Sequence, residues 1–452
     1  MAIHQGEQPA TASEAGAVDA PALRRTAAWG VVAVLVGLMF VNYADKVVVG
    51  LAGVDMKKDL GLGSDEFGII QSSFFWLFAV GCILGGWLAG KVKVRWLLVG
   101  MTVLWAASLA PIAAQAGFTT IVICRIVLGF AEGPTMALAM QVAHSWFPAH
   151  KRAVPSSVVI AGAGVGPVVA SPLLTWVITD YSWRAAFGVL AVVGLVFTVL
   201  CLLVGREGPE ATSDGPGHGE PAVTELPERV PLGRLFRTGT LVGMLMLFFV
   251  AYACTSVKVS WLPLYLREGL GYSAEATGKL VALPFLGSAL AVIGAGLLSR
   301  ALTKRGIGNH ITRGILPGAF VLASAVATLT FPLLEAGVVQ MALIVASSCL
   351  NSAGYGVAFA GLADVAPAKQ RGVVFGIVTA VYSLGAVIAP VVIGKLVASG
   401  DSAAAGYGAG FTVLGVTMAV GAIAALFLVN PSKDAAKLAA QCGDPARVNV
   451  NG

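Results

Sequence analysis

The sequence predicts an all-α integral membrane protein with twelve transmembrane helices in two pseudo-symmetric six-helix bundles. Three observations carry this expectation. Of 452 residues, 57% are hydrophobic and only 12% charged, with a mean hydropathy of +0.85; a soluble domain is typically about 25% charged. Apolar runs near the roughly 20 residues that cross a bilayer recur twelve times between short polar breaks. One long polar gap, 206–238, divides those runs six and six.

Taken in order, residues 1–27 are Ala-rich and mixed in charge, without the charged-then-apolar pattern of a signal peptide. They are expected to form a disordered cytoplasmic tail. The N-terminal bundle, 28–205, holds candidate spans at about 29–53, 67–90, 95–115, 119–143, 153–177 and 185–205. The gap 206–238 is rich in Gly, Pro, Glu and Arg and is expected to be a cytoplasmic linker. The C-terminal bundle, 239–430, holds spans at about 239–262, 277–299, 312–333, 337–362, 372–396 and 407–430. Residues 431–452 read as a polar, soluble cytoplasmic tail.

The net charge of +6 speaks to loop placement, and no nucleic-acid partner is expected. One set of loops holds most of the bases, among them Arg24, Lys91, Lys151, Arg237, Arg300 and Arg371. The alternate loops hold only Lys57, Lys58, Arg184, Arg267 and Lys279. Because basic loops stay on the cytoplasmic side, both termini are expected in the cytoplasm of a multi-pass plasma (inner) membrane protein. The six cysteines are scattered, with no metal-ligand spacing, so no metal site, disulfide framework or cofactor is expected. No phosphate-loop motif is present: Gly162–Pro167 lies inside a span with no strand before it.

The halves echo each other. Pro148-Ala149-His150-Lys151-Arg152 follows span four, and Pro367-Ala368-Lys369-Gln370-Arg371 follows span ten. Gly90-Lys91 after span two corresponds to Ser299-Arg300 after span eight, and Pro167 in span five to Pro390 in span eleven. Two repeats related by an axis along the membrane normal place a substrate site at their interface near the midplane.

Within this frame the chain resembles the major facilitator superfamily, and within it the anion:cation symporter family. The resemblance rests on Asn42-Tyr43-Ala44-Asp45-Lys46, on Arg125 through Pro134 (RIVLGFAEGP) and on Trp146-Phe147-Pro148. Ser182-Trp183-Arg184, Trp261-Leu262-Pro263 and Ala389-Pro390 extend it over most of the chain. It implies proton-coupled carriage of sugar acids or other organic anions. It further implies a proton-coupling role for the carboxylates at Asp45 and Glu132, and an anion-binding role for the bases beside them. Lys46 departs from the pattern, where Arg is usual; so do Thr379 and Ser383, where Asn is frequent. The acid that normally precedes the loop base after spans two and eight is missing, so the gate on that side is expected to be weaker or to use Asp364 or another acid.

The residues themselves point the same way. Asp45 and Lys46 lie inside an apolar run, where a charge costs about 2.5–3.5 kcal/mol and survives only facing protein or a water-filled cavity. A pair near a helix end is the alternative, although Val47 through Leu51 continue the apolar run. Arg125 and Glu132 are seven residues apart, which puts both on one face of span four. Asp45 and Arg125 sit at similar depths, roughly 12 Å and 9 Å from the outer ends of their spans. The four can form a proton- and anion-handling site, or Arg125 and Glu132 can be a static ion pair that locks spans one and four. Lys258 either snorkels outward from span seven or supplies a second anion contact. Tyr43, Asn351, Tyr355, Thr379 and Ser383 can meet substrate hydroxyls or carboxylate, or can be glue between helices.

The leading expectation is therefore a secondary active transporter, not an enzyme. It is expected to import a small organic anion with protons by alternating access, as a monomer in the lipid bilayer. The alternative is a proton-driven drug or metabolite efflux antiporter on the same fold; fixed bases argue for anions instead. A membrane sensor needs an extra-membrane domain, for which the linker is too short.

Overall fold

The computed structural model describes residues 20–148, 151–205, 208, 230–367 and 370–442. Most of the expected N-terminal tail and linker, the 443–452 end of the C-terminal tail, and residues 149–150 and 368–369 of the echoed loops lie outside the described residues. Among the described residues, twelve helices are long and apolar enough to cross a membrane. Spans one to six are Thr26–Leu60, Ser64–Ala89, Val94–Ala113, Phe118–Trp146, Val154–Asp180 and Trp183–Val204. Spans seven to twelve are Gly239–Gly269, Ala274–Lys304, His310–Leu333, Val338–Val365, Arg371–Ala398 and Ala403–Leu428.

The packing obeys a two-fold rule in which span n becomes span n+6. Span one packs along five and seven along eleven; three packs along six and nine along twelve; two packs on four and eight on ten. Between the bundles, five meets eight and eleven meets two, while one meets seven. Each of these contacts maps onto another or onto itself, as expected of repeats related by an axis along the membrane normal. Spans one and seven lie against each other on that axis, and span one carries the most candidate chemistry, Tyr43, Asp45 and Lys46.

We call the side on which the chain enters span one the terminal face and the opposite side the distal face. Span one runs seven residues past its expected end at Gly53, to Leu60. The extra turns carry Asp55, Lys57 and Asp59, each of which is paired. Lys57 Nζ lies 3.1 Å from Glu268 Oε1, and Arg267 Nη1 lies 2.6 Å from Asp55 Oδ2. Both pairs join the bundles at the distal face. Tyr407 adds a hydrogen bond to Glu268 Oε2 at 2.6 Å, and Arg184 pairs with Asp59 within the N-terminal bundle. Exposed pairs of this kind contribute only about 0.2–1 kcal/mol each. Backbone contact carries more of the distal closure. Gly68 of span two and Gly394 of span eleven face each other: a Cβ at Gly394 would sit 2.5 Å from the Ser64 carbonyl oxygen and 3.2 Å from Gly68 Cα.

Two expectations about the terminal face change. Asp364, considered for a gate between the bundles, pairs with Arg313 of span nine; both belong to the C-terminal bundle, so the pair holds spans nine and ten together. The stretch after Pro431 is not simply a solvated tail. Residues Pro431–Cys442 form a helix whose Ala435 and Leu438 are buried. Asp434 accepts a hydrogen bond from the Thr240 amide at 2.7 Å, satisfying an orphan donor at the start of span seven where a negative charge is also favoured.

Gly394→Leu should wedge spans two and eleven apart. Overpacking of this kind costs about 1–3 kcal/mol, enough to shift a two-state balance about 5- to 150-fold. A cysteine introduced at Val47 should then react faster with an impermeant thiol reagent added on the distal side. An unchanged rate in a stably folded variant would show that this backbone contact does not hold the distal side shut.

Candidate functional site

The site begins with a stripe of small residues on span four. Arg125, Gly129 and Gly133 are spaced by four and share a face. A Cβ on Gly129 would lie 1.7 Å from the Phe74 carbonyl oxygen, so only glycine lets span two lie against span four here. At that contact span two loses its regular helix, between Ser73 and Phe78. The break presents Phe74 to the cation one turn away: Arg125 Cζ lies 4.7 Å from the Phe74 ring centroid, within the range for cation–π attraction.

The charges sort into one tight pair and two unpartnered groups. Lys46 Nζ lies 2.5 Å from Glu132 Oε2, 2.6 Å from Asn42 Oδ1 and 3.1 Å from the Asn42 carbonyl oxygen. Three acceptors use all three ammonium donors. Asn42, one turn before Lys46, also donates from Nδ2 to Glu132 Oε2 at 3.0 Å. Glu132 Oε1, both oxygens of Asp45, and Nε and Nη1 of Arg125 are buried without a hydrogen-bond partner. Asp45 is fully buried, with Lys46, Arg125 and Glu132 within electrostatic reach. The static Arg125–Glu132 pair is thus not the arrangement found: Lys46 takes the carboxylate and leaves the guanidinium unpaired.

A cavity opens beside this cluster, with a void of about 640 Å³ including its mouth. Tyr43, Lys46 and Arg125 line it from the N-terminal bundle. Span seven contributes Tyr252, Thr255, Ser256, Val259 and Ser260 from the other side. At its upper edge, Gln71 Nε2 donates across the bundles to the Ser260 carbonyl oxygen at 3.5 Å.

The remaining sequence candidates lie elsewhere. Lys258 is buried rather than snorkelling, and its Nζ donates to Ser347 Oγ of span ten at 2.7 Å; it is not in the cavity lining. Asn351 donates from Nδ2 to the Ala251 carbonyl oxygen and to Thr255 Oγ1, at 3.0 and 3.1 Å. It therefore holds spans seven and ten together and positions a cavity residue. Ser383 is turned onto the Ala380 carbonyl oxygen. Tyr355 and Thr379 surround Tyr382, and the Tyr252 ring connects that group to the cavity, stacked 6.4 Å from Tyr355 and tilted 4.7 Å from Tyr382. Phe74, Phe75, Tyr252 and Phe285 line the cavity but carry no charge to mark them in an apolar span. The adjacent Gly129 contact and the one-turn spacing of Phe248 and Tyr252 are the faint signals they leave in the sequence.

Comparison with known proteins agrees with the twelve-span fold. A sequence profile of the Major Facilitator Superfamily matches residues 35–362. The probable sulfoacetate transporter of Cupriavidus necator is 26% identical over 87% of this chain and 92% of its own. The probable L-galactonate transporter of Escherichia coli K12 is 27% identical over 87% of this chain and 88% of its own. Among solved structures, the D-xylose–proton symporter superposes with a TM-score of 0.71 at 17% identity, covering 90% of this chain and 98% of that one. A bacterial homologue of the human lysosomal transporter Spinster gives 0.74 at 16% identity, over 90% and 97% of the two chains. With twelve spans packed under one two-fold rule and a profile match running through both bundles, the chain belongs to the Major Facilitator Superfamily and is a transporter rather than an enzyme.

Proposed function

We propose that this protein carries a small organic anion together with protons, by alternating exposure of the cavity between spans one, two, four and seven. The observation that carries the reading is the charge balance. Asp45, Glu132, Lys46 and Arg125 sum to zero when all are ionised, and all but Lys46 are almost fully buried. Bringing an anion to the unpaired Arg125 guanidinium leaves the cluster one negative charge in excess. In an interior of effective dielectric near 20, two unit charges 4 Å apart interact by about 4 kcal/mol. A proton on Asp45 or Glu132 cancels the excess, so anion and proton binding reinforce each other.

The residues take distinct roles in this scheme. Arg125 is the anchor, because its donors are unspent and a guanidinium fork suits a carboxylate. Lys46 lines the cavity but acts mainly by holding Glu132. Asp45, which has no hydrogen-bond partner, and Glu132, which has one free oxygen, are the proton carriers. Lys258, Asn351, Tyr355, Thr379 and Ser383 act from behind the cavity wall through spans seven, ten and eleven. The relatives named as probable sulfoacetate and L-galactonate transporters support an organic anion as cargo. An unpaired guanidinium disfavours the efflux of hydrophobic cations. The excess of Lys and Arg on the terminal face supports an inner-membrane orientation with both termini in the cytoplasm. The distal closure is then the external gate, and the state described here faces inward. Uptake, by a monomer, is the direction and state proposed here.

Asp45→Asn and Glu132→Gln should each abolish accumulation driven by a pH gradient while leaving counterflow in place. The coupling lost is about 5- to 150-fold in accumulation ratio, the usual range for linked sites. Gradient-driven uptake that survives both substitutions would overturn the coupling assignment.

Arg125→Ala should weaken anion binding on the order of a hundredfold, within the 2–5 kcal/mol typical of a truncated buried charge contact. Lys46→Ala should also weaken it, because Glu132 is then left as an unpaired negative charge. Adding Glu132→Gln should restore binding to the Lys46→Ala variant and not to the Arg125→Ala variant. Equal rescue of both, or of neither, would contradict the division of roles.

A further inference from the structure

The comparisons include carriers of hydroxylated sugar acids, yet the cavity is poorly furnished for a polyol. Much of its polar lining is already committed to the protein. Thr255 Oγ1 donates to the Ala251 carbonyl oxygen at 3.0 Å and Ser260 Oγ to the Ser256 carbonyl oxygen at 2.8 Å. Gln71 Nε2 is turned to the Ser260 carbonyl oxygen, and all three Lys46 donors are engaged. What remains is the Arg125 fork, the Ser256 hydroxyl, which is buried without a partner, the Gln71 side-chain oxygen and the phenol hydroxyls of the wall.

The rest of the surface is largely ring and aliphatic carbon. Five aromatic side chains line the cavity: Tyr43, Phe74, Phe75, Tyr252 and Phe285. Phe75 and Tyr252, one from each bundle, meet edge to face at 5.9 Å and 84°, so rings form the seam where the two bundles meet. Beside that seam Phe74 covers the guanidinium. A site of this kind offers one strong anion contact at one end and flat apolar walls beyond it. A chain bearing four or five hydroxyls would leave several of them desolvated without partners, each opposing binding. A planar ring would meet aromatic faces and edges at the 4.5–7 Å spacing that such pairs prefer.

We propose that the cargo of this site is an aromatic carboxylate: one carboxylate on Arg125, a ring packed against the Phe75–Tyr252 pair, and no more than one or two further polar substituents within reach of Ser256 and the phenols. This rests on the anion-carrier reading above and narrows it to a chemical class.

The test uses the full-length protein, purified and reconstituted. Benzoate, 4-hydroxybenzoate, sulfoacetate, D-galactonate and D-glucarate are compared by binding and by competition for uptake. The aromatic acids should bind at least about tenfold more tightly than the polyol acids, one lost or gained apolar contact being worth that much. Phe75→Ala should lower affinity for 4-hydroxybenzoate about tenfold while changing that for sulfoacetate less than about twofold, in keeping with a ring contact. Arg125→Ala should weaken every anion. Tighter binding of D-galactonate or D-glucarate than of either aromatic acid would overturn the aromatic assignment and leave anion transport standing. So would a Phe75→Ala variant whose losses are equal for ring and non-ring anions. Absence of binding by all five anions to protein that unfolds cooperatively on heating would overturn the anion-carrier reading as well.

Discussion

The structure depends on keeping four formal charges neutral inside a low-dielectric bundle. A single uncompensated charge in a membrane interior is expensive, and removing one partner of a buried pair costs more than the pair contributes. Lys46, Glu132 and Asn42 meet this constraint by direct hydrogen bonding. Asp45 and Arg125 meet it only through the field of the others, since neither is paired. The cluster is thus balanced but not saturated. A saturated network would be a structural lock; an unpaired guanidinium, a bare carboxylate and a free carboxylate oxygen are what the proposed anion and proton binding uses.

The fold makes that balance usable by placing it where two rigid bodies meet. Spans one and four supply the charges, span two covers Arg125 through the close approach at Gly129, and span seven brings the opposing wall. The same span one continues to the distal face, where Asp55 and Lys57 pair with span seven. Site and closure therefore share two helices, and a change in how spans one and seven meet reaches both. The weak ion pairs at the rim can break at little cost, while the Gly68–Gly394 contact supplies a close-packed surface that is either together or apart.

Much of this was legible in the sequence, and what was not has physical causes. The twelve spans, the two halves and the shared face of Arg125 and Glu132 follow from composition and helical period. The choice of partner for Glu132 does not. Arg125 lies on its own helix at a favourable spacing, but Asn42 one turn before Lys46 presents an extra acceptor that draws the ammonium to Glu132. Lys258 looked free to snorkel, and Ser347 of span ten, with Cys254 one turn before it, holds it inside. The aromatic wall escaped notice because Phe and Tyr in an apolar span look like core or lipid-facing residues. Only the break in span two and the packing of span seven turn Phe74, Phe75 and Tyr252 toward the cavity. The helix after Pro431 was hidden by its polarity; its docking depends on the one acid, Asp434, that meets the start of span seven.

Linkage between anion and proton is what the proposed scheme rests on, and it can be read without transport. When anion is added to unbuffered, detergent-solubilised protein with a pH indicator, about one proton should be taken up per anion bound near neutral pH, as linkage requires. Anion binding with no proton uptake anywhere between about pH 5 and 8, the range where a linked carboxylate would show itself, would contradict the neutral-cluster mechanism.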